Sequence, residues 1–176
     1  MSDGKSQDGR SGYLQEYVDQ ELFTALPPTP LLADRIKRFQ AALAAATAGP
    51  GIEVRSRPAL ALSAGSLMVP ALALHREGHD VPALVVEFHT ESTDRYFLGP
   101  KRMIYDRWRI PEFWFVDLLG KRLLIMRADA SGEYNWPPEE PTTSAVVTPV
   151  ALSGARVPVE RLFRDPPRPP GSFRQR

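Results

Sequence analysis

The run PALVVEFH (residues 82–89) carries apolar side chains at successive positions, so both faces of a strand built from it would be apolar. Such a strand is typical of the centre of a sheet that is covered on both sides. Glu87 lies inside this run, and burying a lone carboxylate is costly unless it is paired or protonated. Two roles stay open for Glu87: a cap at the solvent end of the strand, or a metal ligand or general base in a site.

Two residues near this run bear on a functional role for Glu87. Because side chains alternate along a strand, His89 is expected on the same face as Glu87. Lys101 follows in the first turn of a predicted helix, where the helix dipole disfavours a cation. Its ammonium therefore either points into water or has an anionic partner.

The patterns on either side of the run predict an α+β fold. An apolar stripe predicts a first helix, with Thr29 as N-cap and Pro30 at its first position; the stripe comprises Leu32, Ile36, Phe39, Leu43 and Ala46. A second helix is predicted from Gly99 to about Trp108. We expect a hairpin over residues 13–25, strands over 52–62, 66–74, 82–89, 112–117, 122–127 and 145–152, a short strand over 132–136, and a closing apolar segment over 157–163. The sum is a mixed sheet of five or six strands with one helix on each side.

The composition excludes several classes of protein. The chain has 176 residues, 43% of them hydrophobic and 24% charged, which suits one packed domain. A net charge of +1 excludes a histone-like polycation, and the absence of cysteine excludes disulfides, zinc ribbons, iron–sulfur clusters and thiol nucleophiles. No apolar run reaches about 18 residues and residues 1–12 are polar, so we expect neither a membrane span nor a signal peptide. We therefore expect a cytoplasmic protein.

The two ends differ in composition from the region between them. Residues 1–12 are predicted to be a disordered leader, residues 13–163 the folded domain, and residues 164–176 an extended Arg/Pro-rich tail. Within the domain, residues 91–127 carry an excess of three positive charges. Arg102 and Arg109, which are interleaved with aromatic residues, are candidate phosphate contacts, although a solvated helix would look similar.

Four quoted segments together resemble one family: PALVVE (82–87), ST (92–93), KR (101–102) followed by Tyr105, and IPEFWFVD (110–117). Their order is similar to that of the Uma-type restriction endonuclease family, small bacterial proteins of the PD-(D/E)XK nuclease superfamily. Weaker matches extend the resemblance over residues 13–163: EYVDQEL (16–22) with PP (27–28), and RVPVERLF (156–163). The resemblance implies a restriction-endonuclease-like core, a central mixed β-sheet flanked by helices, with a magnesium-dependent phosphodiesterase site at the strand ends.

The resemblance also implies roles for individual residues. Glu87 corresponds to the second acid and Lys101 to the lysine, which would orient the attacking water or stabilise the developing anion. The first acid should follow Pro70, but that position is Ala71, so the first metal ligand is missing. Gln20 and Phe97 are lesser departures, standing where the family usually has glycine and aspartate. Glu16 of the hairpin is retained and receives little weight.

The missing acid decides what we expect of the metal. With Glu87 as the one obvious carboxylate ligand left, magnesium should bind weakly if at all. His89 would be a compensating ligand and would favour manganese. The candidate catalytic residues are therefore Glu87, Lys101 and His89, with Glu87 and His89 as candidate metal ligands.

Two functions from different classes stay open. One is a metal-dependent DNA endonuclease, weakened or inactivated by Ala71. The other is a catalytically inactive nuclease-fold protein that acts as a DNA-binding or protein-interaction module. We expect DNA as the main partner, and allow for a protein partner bound through the tail and for a homodimer.

Overall fold

The computed structural model describes residues 14–18, 20–25, 28–63, 65–89, 97–152 and 154–164. The predicted leader lies outside these residues, as do all of the predicted tail except Arg164 and the Ser92-Thr93 pair. In chain order the strands are β1 Leu14–Val18, β2 Glu21–Ala25, β3 Ile52–Ser56, β4 Leu60–Ser63, β5 Ser66–Met68, β6 Leu72–Arg76, β7 Leu84–Phe88, β8 Glu112–Asp117, β9 Arg122–Arg127, β10 Val146–Val147 and β11 Val157–Pro158. The α-helices are α1 Pro30–Ala46, α2 Arg102–Arg107 and α3 Val159–Leu162.

A five-stranded mixed sheet forms the centre of the fold, in the order β3-β6-β7-β8-β9. β7 and β8 are parallel, with Val85 opposite Phe113 and Glu87 opposite Phe115, whereas the other neighbours are antiparallel. All five residues of β7 are buried, as the apolar run predicts for a central strand. The predicted α+β class with a central mixed sheet is confirmed.

The two faces of this sheet are covered differently. α1 and the C-terminal segment with α3 pack on one face, here called the α1 face, through Phe39, Leu43 and Leu162. α2 and a second, four-stranded sheet (order β2-β1-β5-β4) cover the other, here called the α2 face. The structure thus places one main helix on each side, as predicted, but the second sheet was not expected as a separate unit.

The first helix forms where the sequence places it. The Thr29 hydroxyl accepts a hydrogen bond from the Leu32 N–H at 3.4 Å, and Pro30 occupies the first helical position. The helix ends at Ala46, and the Thr47 hydroxyl donates to the Leu43 carbonyl at 2.8 Å. Both predicted start signals are confirmed.

Two predicted long strands are each divided in the structure. Residues 52–62 form β3 and β4 because Arg57 has a left-handed φ of 50° and Pro58 has no N–H to donate to a ladder. Residues 66–74 form β5 and β6 because Pro70 interrupts the pairing in the same way. Both breaks move the second segment into a different sheet.

Three other predicted elements are shorter than expected. The strand predicted over 145–152 is reduced to β10, since Pro149 follows and the Leu152 N–H closes a turn onto its carbonyl. Residues 132–136 contribute one isolated bridge, between Tyr134 and Ala128, and no strand. The second helix ends at Arg107, before Trp108. In the described part of the chain, no helix is long and apolar enough to cross a membrane.

Candidate functional site: a buried carboxylate–ammonium cluster

Glu87 is buried in the middle of the protein and does not cap a strand at the solvent. Its side chain is on the α2 face of β7 and only 1% of the residue's surface is exposed. The alternative that it lies at the solvent end of its strand is therefore wrong. A carboxylate in this position needs partners within the protein.

Lys101 supplies the main partner. It is the last residue of a π-helical turn, Phe97–Lys101, that is kinked at Gly99, and it directly precedes α2. Its ammonium nitrogen lies 2.5 Å from Glu87 Oε1 and 2.7 Å from Glu16 Oε1, and the residue is completely buried. Lys101 therefore does not point into water; it has the anionic partner that its position near a helix start calls for.

Glu16 is the second carboxylate of this cluster. It lies on β1 of the smaller sheet, and its Oε1 also accepts a hydrogen bond from the Val69 N–H at 2.6 Å. Its Oε2 accepts from the Lys101 ammonium at 3.0 Å. The family resemblance alone gives Glu16 little weight. Strand alternation, which places Glu16 on the same face as the buried Val18, is the signal in the sequence for its inward position.

Tyr105 and the backbone of Ala71 complete the cluster. The Tyr105 hydroxyl donates to Glu87 Oε1 at 2.7 Å, and the Ala71 N–H donates to Glu87 Oε2 at 3.3 Å. Tyr105 was quoted only as part of the family pattern; its spacing of four residues from Lys101, which puts both on one helix face, was the signal for a role in the site. Each of the four carboxylate oxygens thus accepts at least one hydrogen bond.

The charges of the cluster do not balance when all three groups are ionised, since two carboxylates face one ammonium. Burial raises the pKa of Glu87 above its ordinary value, and the nearby Glu16 carboxylate adds to this shift. The Lys101 ammonium and the Tyr105 hydroxyl act in the opposite direction without overcoming it. Glu87 is therefore protonated more readily in the cluster than in water.

The residues present do not fit a divalent metal as they are arranged. Magnesium takes oxygen ligands in a near-octahedral shell with several waters, which requires free carboxylate oxygens and room around them. Here the oxygens of Glu16 and Glu87 are engaged, and the Lys101 ammonium already lies between them. Across the described ranges, no group of three or more His, Asp or Glu residues suits a metal ion.

The other predicted site residues lie near the cluster but outside it. Ala71 is adjacent to Glu87 through its backbone, while its methyl group packs against the core on the α1 face. His89 is half-buried, and its ring meets Phe115 edge-on with centroids 6.2 Å apart, on the face of the sheet that Glu87 occupies. The predicted face of His89 is confirmed; its role as a metal ligand stays a prediction.

The two candidate phosphate contacts lie at opposite ends of α2. Arg102 donates from Nε to the Leu98 carbonyl at 3.2 Å and holds its guanidinium over the ring of Trp136, 5.4 Å from the centroid. Arg109 is exposed and has a left-handed φ of 52°, beyond the end of the helix. The expectation that both belong to one basic helix is wrong, because the chain turns after Arg107.

A mixed sheet whose central strand carries a buried glutamate paired with a lysine is the arrangement that the sequence resemblance predicts for a nuclease-like α+β protein. A family model described as "Uma2: Putative restriction endonuclease" matches residues 9–160, and the chain belongs to this family. Its fold is similar to that of a solved protein from Anabaena variabilis, titled a putative nuclease belonging to DUF820, with a TM-score of 0.65, 11% identity, and coverage of 85% of this chain and 89% of that one. The search of the curated proteins gives no match.

Proposed function

We propose that this protein is a DNA-binding member of the restriction-endonuclease-like family in which phosphodiester hydrolysis is weak or absent. Membership of the family supports DNA as the class of partner. The observation that carries the loss of hydrolysis is the Lys101 ammonium, which lies within 2.7 Å of both Glu16 and Glu87 in a fully buried position. A metal-dependent nuclease needs those oxygens for its cation.

The absence of an acid at Ala71 supports the same conclusion. An aspartate there would have to turn its carboxylate from the α1 face, on which the Ala71 methyl group packs, toward Glu87, whose Oε2 accepts from the N–H of the same residue. Three carboxylates around one ammonium would leave two negative charges, which a divalent cation could balance. With alanine, the surplus is a single charge, and protonation of Glu87 removes it without any metal. We therefore propose that magnesium or manganese binds weakly if at all.

The remaining chemistry of the site is that of a closed structural cluster. Tyr105 and the backbone N–H groups of Val69 and Ala71 hold the two carboxylates in position. His89 lies on the same face and could approach a bound cation only if Glu87 were first released from Lys101. The catalytic roles of Glu87, Lys101 and His89 are therefore latent in this proposal.

DNA binding in the proposal depends on arginines at the surface. Arg102 and Arg109 flank α2, and in the described part of the chain neither guanidinium forms an ion pair with a carboxylate. Unpaired guanidinium groups suit phosphate oxygens. Lys101 is excluded from this role because it is completely buried.

Plasmid cleavage tests the loss of hydrolysis. Supercoiled DNA incubated with the unaltered protein and magnesium or manganese should show little nicking. The Ala71→Asp variant should nick at least about tenfold faster, as a cation gains of the order of 1.4 kcal/mol in binding. Ala71→Asn is the matched control: it has the same shape without the charge, and it should show no gain.

One pattern of results would contradict the proposal. If the unaltered protein cuts efficiently, loses this activity in Glu87→Ala, and gains nothing from Ala71→Asp, the site is a working one with an altered ligand set. Circular dichroism of each variant establishes that the fold is retained.

A further inference from the structure

Trp136 is an exposed aromatic residue that the family pattern does not account for. Its surface is 65% exposed, and the Arg102 guanidinium lies over its ring at 5.4 Å from the centroid. An arginine that lies over one face of an exposed indole forms a planar cation–π pair, and such aromatic and guanidinium groups are the ones on which nucleobases stack. With 65% of the residue exposed, much of the indole surface is in contact with solvent.

The segment that carries Trp136 is anchored along α2. The Tyr134 N–H donates to Asp106 Oδ1 at 3.0 Å, and the Tyr134 hydroxyl donates to the Ile110 carbonyl at 2.8 Å. At the other end of the same segment, Gly132 lies against the side chain of Arg109. The ring of Trp136 is thus placed at the start of α2, and Arg109 at its end.

The spacing of these groups matches a polynucleotide strand. The helix α2, at whose two ends these arginines lie, has six residues and is about 9 Å long at 1.5 Å per residue. The nucleotides of one strand in a duplex advance by about 3.4 Å, and those of an extended unpaired strand by more, so a strand along α2 would have at most about three nucleotides between the two arginines. Asp106 between them is occupied by the Tyr134 N–H.

We propose that Trp136 and Arg102 form a stacking platform for an unpaired nucleobase, with Arg109 bound to a phosphate of the same strand. This inference rests on the proposed DNA binding and specifies its substrate class, single-stranded or locally unpaired DNA. A base within a duplex is stacked on both sides by its neighbours, so it does not offer a face to Trp136. Arg102 directly follows Lys101, so the platform adjoins the buried cluster.

The test compares two DNA probes in fluorescence anisotropy titrations: a labelled 20-nucleotide single strand and the blunt duplex of the same sequence. The unaltered protein should bind the single strand more tightly. Trp136→Ala should weaken single-strand binding by about tenfold, the effect of losing one stacked base, and should change duplex binding little. Trp136→Phe, which keeps a smaller ring, should retain part of the affinity.

Two control variants separate stacking from charge. Trp108→Phe should leave binding unchanged, because Trp108 lines a separate cavity of about 380 Å³ with Leu60 and Val81. Arg109→Gln should weaken binding to both probes and lower the slope of log K against log salt by about one.

The outcomes distinguish this inference from the proposal on which it rests. If the unaltered protein binds neither probe, DNA binding itself is wrong and the inference falls with it. If it binds DNA but Trp136→Ala binds the single strand as tightly as before, DNA binding stands and the stacking platform is wrong. Equal affinity for single strand and duplex would also contradict the platform.

Discussion

Two buried glutamates on neighbouring strands of the central sheet show how differently the same side chain can be accommodated. Glu87 of β7 and Glu112 of β8 are each exposed by 1% or less, and burial raises the pKa of both. They lie on opposite faces, since Glu87 contacts Tyr105 on the α2 face and Glu112 contacts Trp114 on the α1 face.

The partners of the two carboxylates differ in charge and in access to water. Glu112 accepts hydrogen bonds from the Trp114 indole at 2.8 Å, the Val150 N–H at 2.7 Å and the Arg127 Nε at 3.1 Å. Arg127 is 26% exposed, so the charge of this pair reaches solvent. Glu87 instead shares one buried ammonium with a second carboxylate, Glu16.

Burial alone therefore does not identify a carboxylate as part of a functional site. The Glu112 group also has two carboxylates on one cation, but Arg127 and the second acid, Glu139, are partly exposed, so water screens the surplus charge. In the Glu87 group both carboxylates and the cation are buried, and surplus carboxylates at one place are the arrangement that a nuclease uses to hold a cation. The following substitutions test this difference, from the largest expected effect to the smallest.

Removal of the two cationic partners should separate the groups most clearly. Lys101→Met leaves two buried carboxylates without a counter-charge and should lower the free energy of unfolding by about 3–5 kcal/mol. Arg127→Met should cost about 1–2 kcal/mol, because Glu112 keeps its indole and backbone donors. Urea denaturation at pH 7 measures both values, and equal losses would contradict the distinction.

The pH dependence of stability should differ when each glutamate is replaced by glutamine. The folded-state pKa of Glu87 is raised, so the folded protein binds more protons than the unfolded chain once the pH exceeds the ordinary value of 4.5. Stability should therefore fall as the pH rises from about 4.5 through the folded pKa of Glu87, and Glu87→Gln should remove this loss and be the more stable protein at pH 8.

Glu112→Gln is the matched control for that experiment. Both Glu112 oxygens accept short hydrogen bonds, so an amide group must turn its N–H₂ toward one of the donors. This variant should be less stable than the unaltered protein at both pH 5 and pH 8. Glu87→Gln gives up the 3.3 Å bond from Ala71 and one of the two carboxylate charges that face Lys101, which keeps Glu16 as its counter-charge. Thermal unfolding at the two pH values would refute the account if Glu87→Gln were destabilised at pH 8.

Two buried tyrosine hydroxyl groups provide a finer comparison. Tyr105→Phe removes the donor to Glu87 and should cost about 1–2 kcal/mol, while Tyr134→Phe removes a bond to the Ile110 carbonyl and should cost about 1 kcal/mol. Only Tyr105→Phe should also change the pH dependence of stability. In the unaltered protein the Tyr105 hydrogen bond lowers the pKa of Glu87, and the variant loses this effect. A shift of similar size in the pH dependence of stability of Tyr134→Phe would contradict the assignment of Tyr105 to the cluster.

The smallest effect is expected at the outer edge of the Glu112 group. Glu139 pairs with Arg127 but is 49% exposed, so Glu139→Gln should change the free energy of unfolding by less than about 1 kcal/mol. The change should shrink further in high salt. A larger loss, measured by urea denaturation, would show that Arg127 depends on Glu139 for its position.

The sequence predicted those parts of the fold that depend on local patterns. The stripe of α1, its Thr29–Pro30 start and the doubly buried strand around Glu87 follow from neighbouring residues, and all are confirmed. Predictions failed where one residue interrupts an apolar run, as Pro70 does between β5 and β6. Whether the chain enters the other sheet at such a break depends on strands that are distant in sequence. The local apolar pattern is the same whether or not it does.

The sequence predicted which main residues form the site better than it predicted their contacts. Glu87 and Lys101 were identified from their positions, and they meet in the structure. Glu16 is 85 residues from Lys101 in sequence, so its contribution depends on how the smaller sheet packs on the larger one. No sequence pattern pointed to Trp136, because its proposed role depends on the turn that places it beside Arg102.

Binding of manganese tests the central claim most directly, because the claim is that an ammonium occupies the space between Glu16 and Glu87 that a nuclease keeps for its cation. Electron paramagnetic resonance reports free Mn²⁺ by its six-line signal, which diminishes when the ion is bound. We predict that the unaltered protein leaves this signal undiminished at equimolar concentrations of about 100 μM, as expected for binding in the millimolar range or weaker. Stoichiometric loss of the signal that is restored in Glu87→Gln would contradict the account.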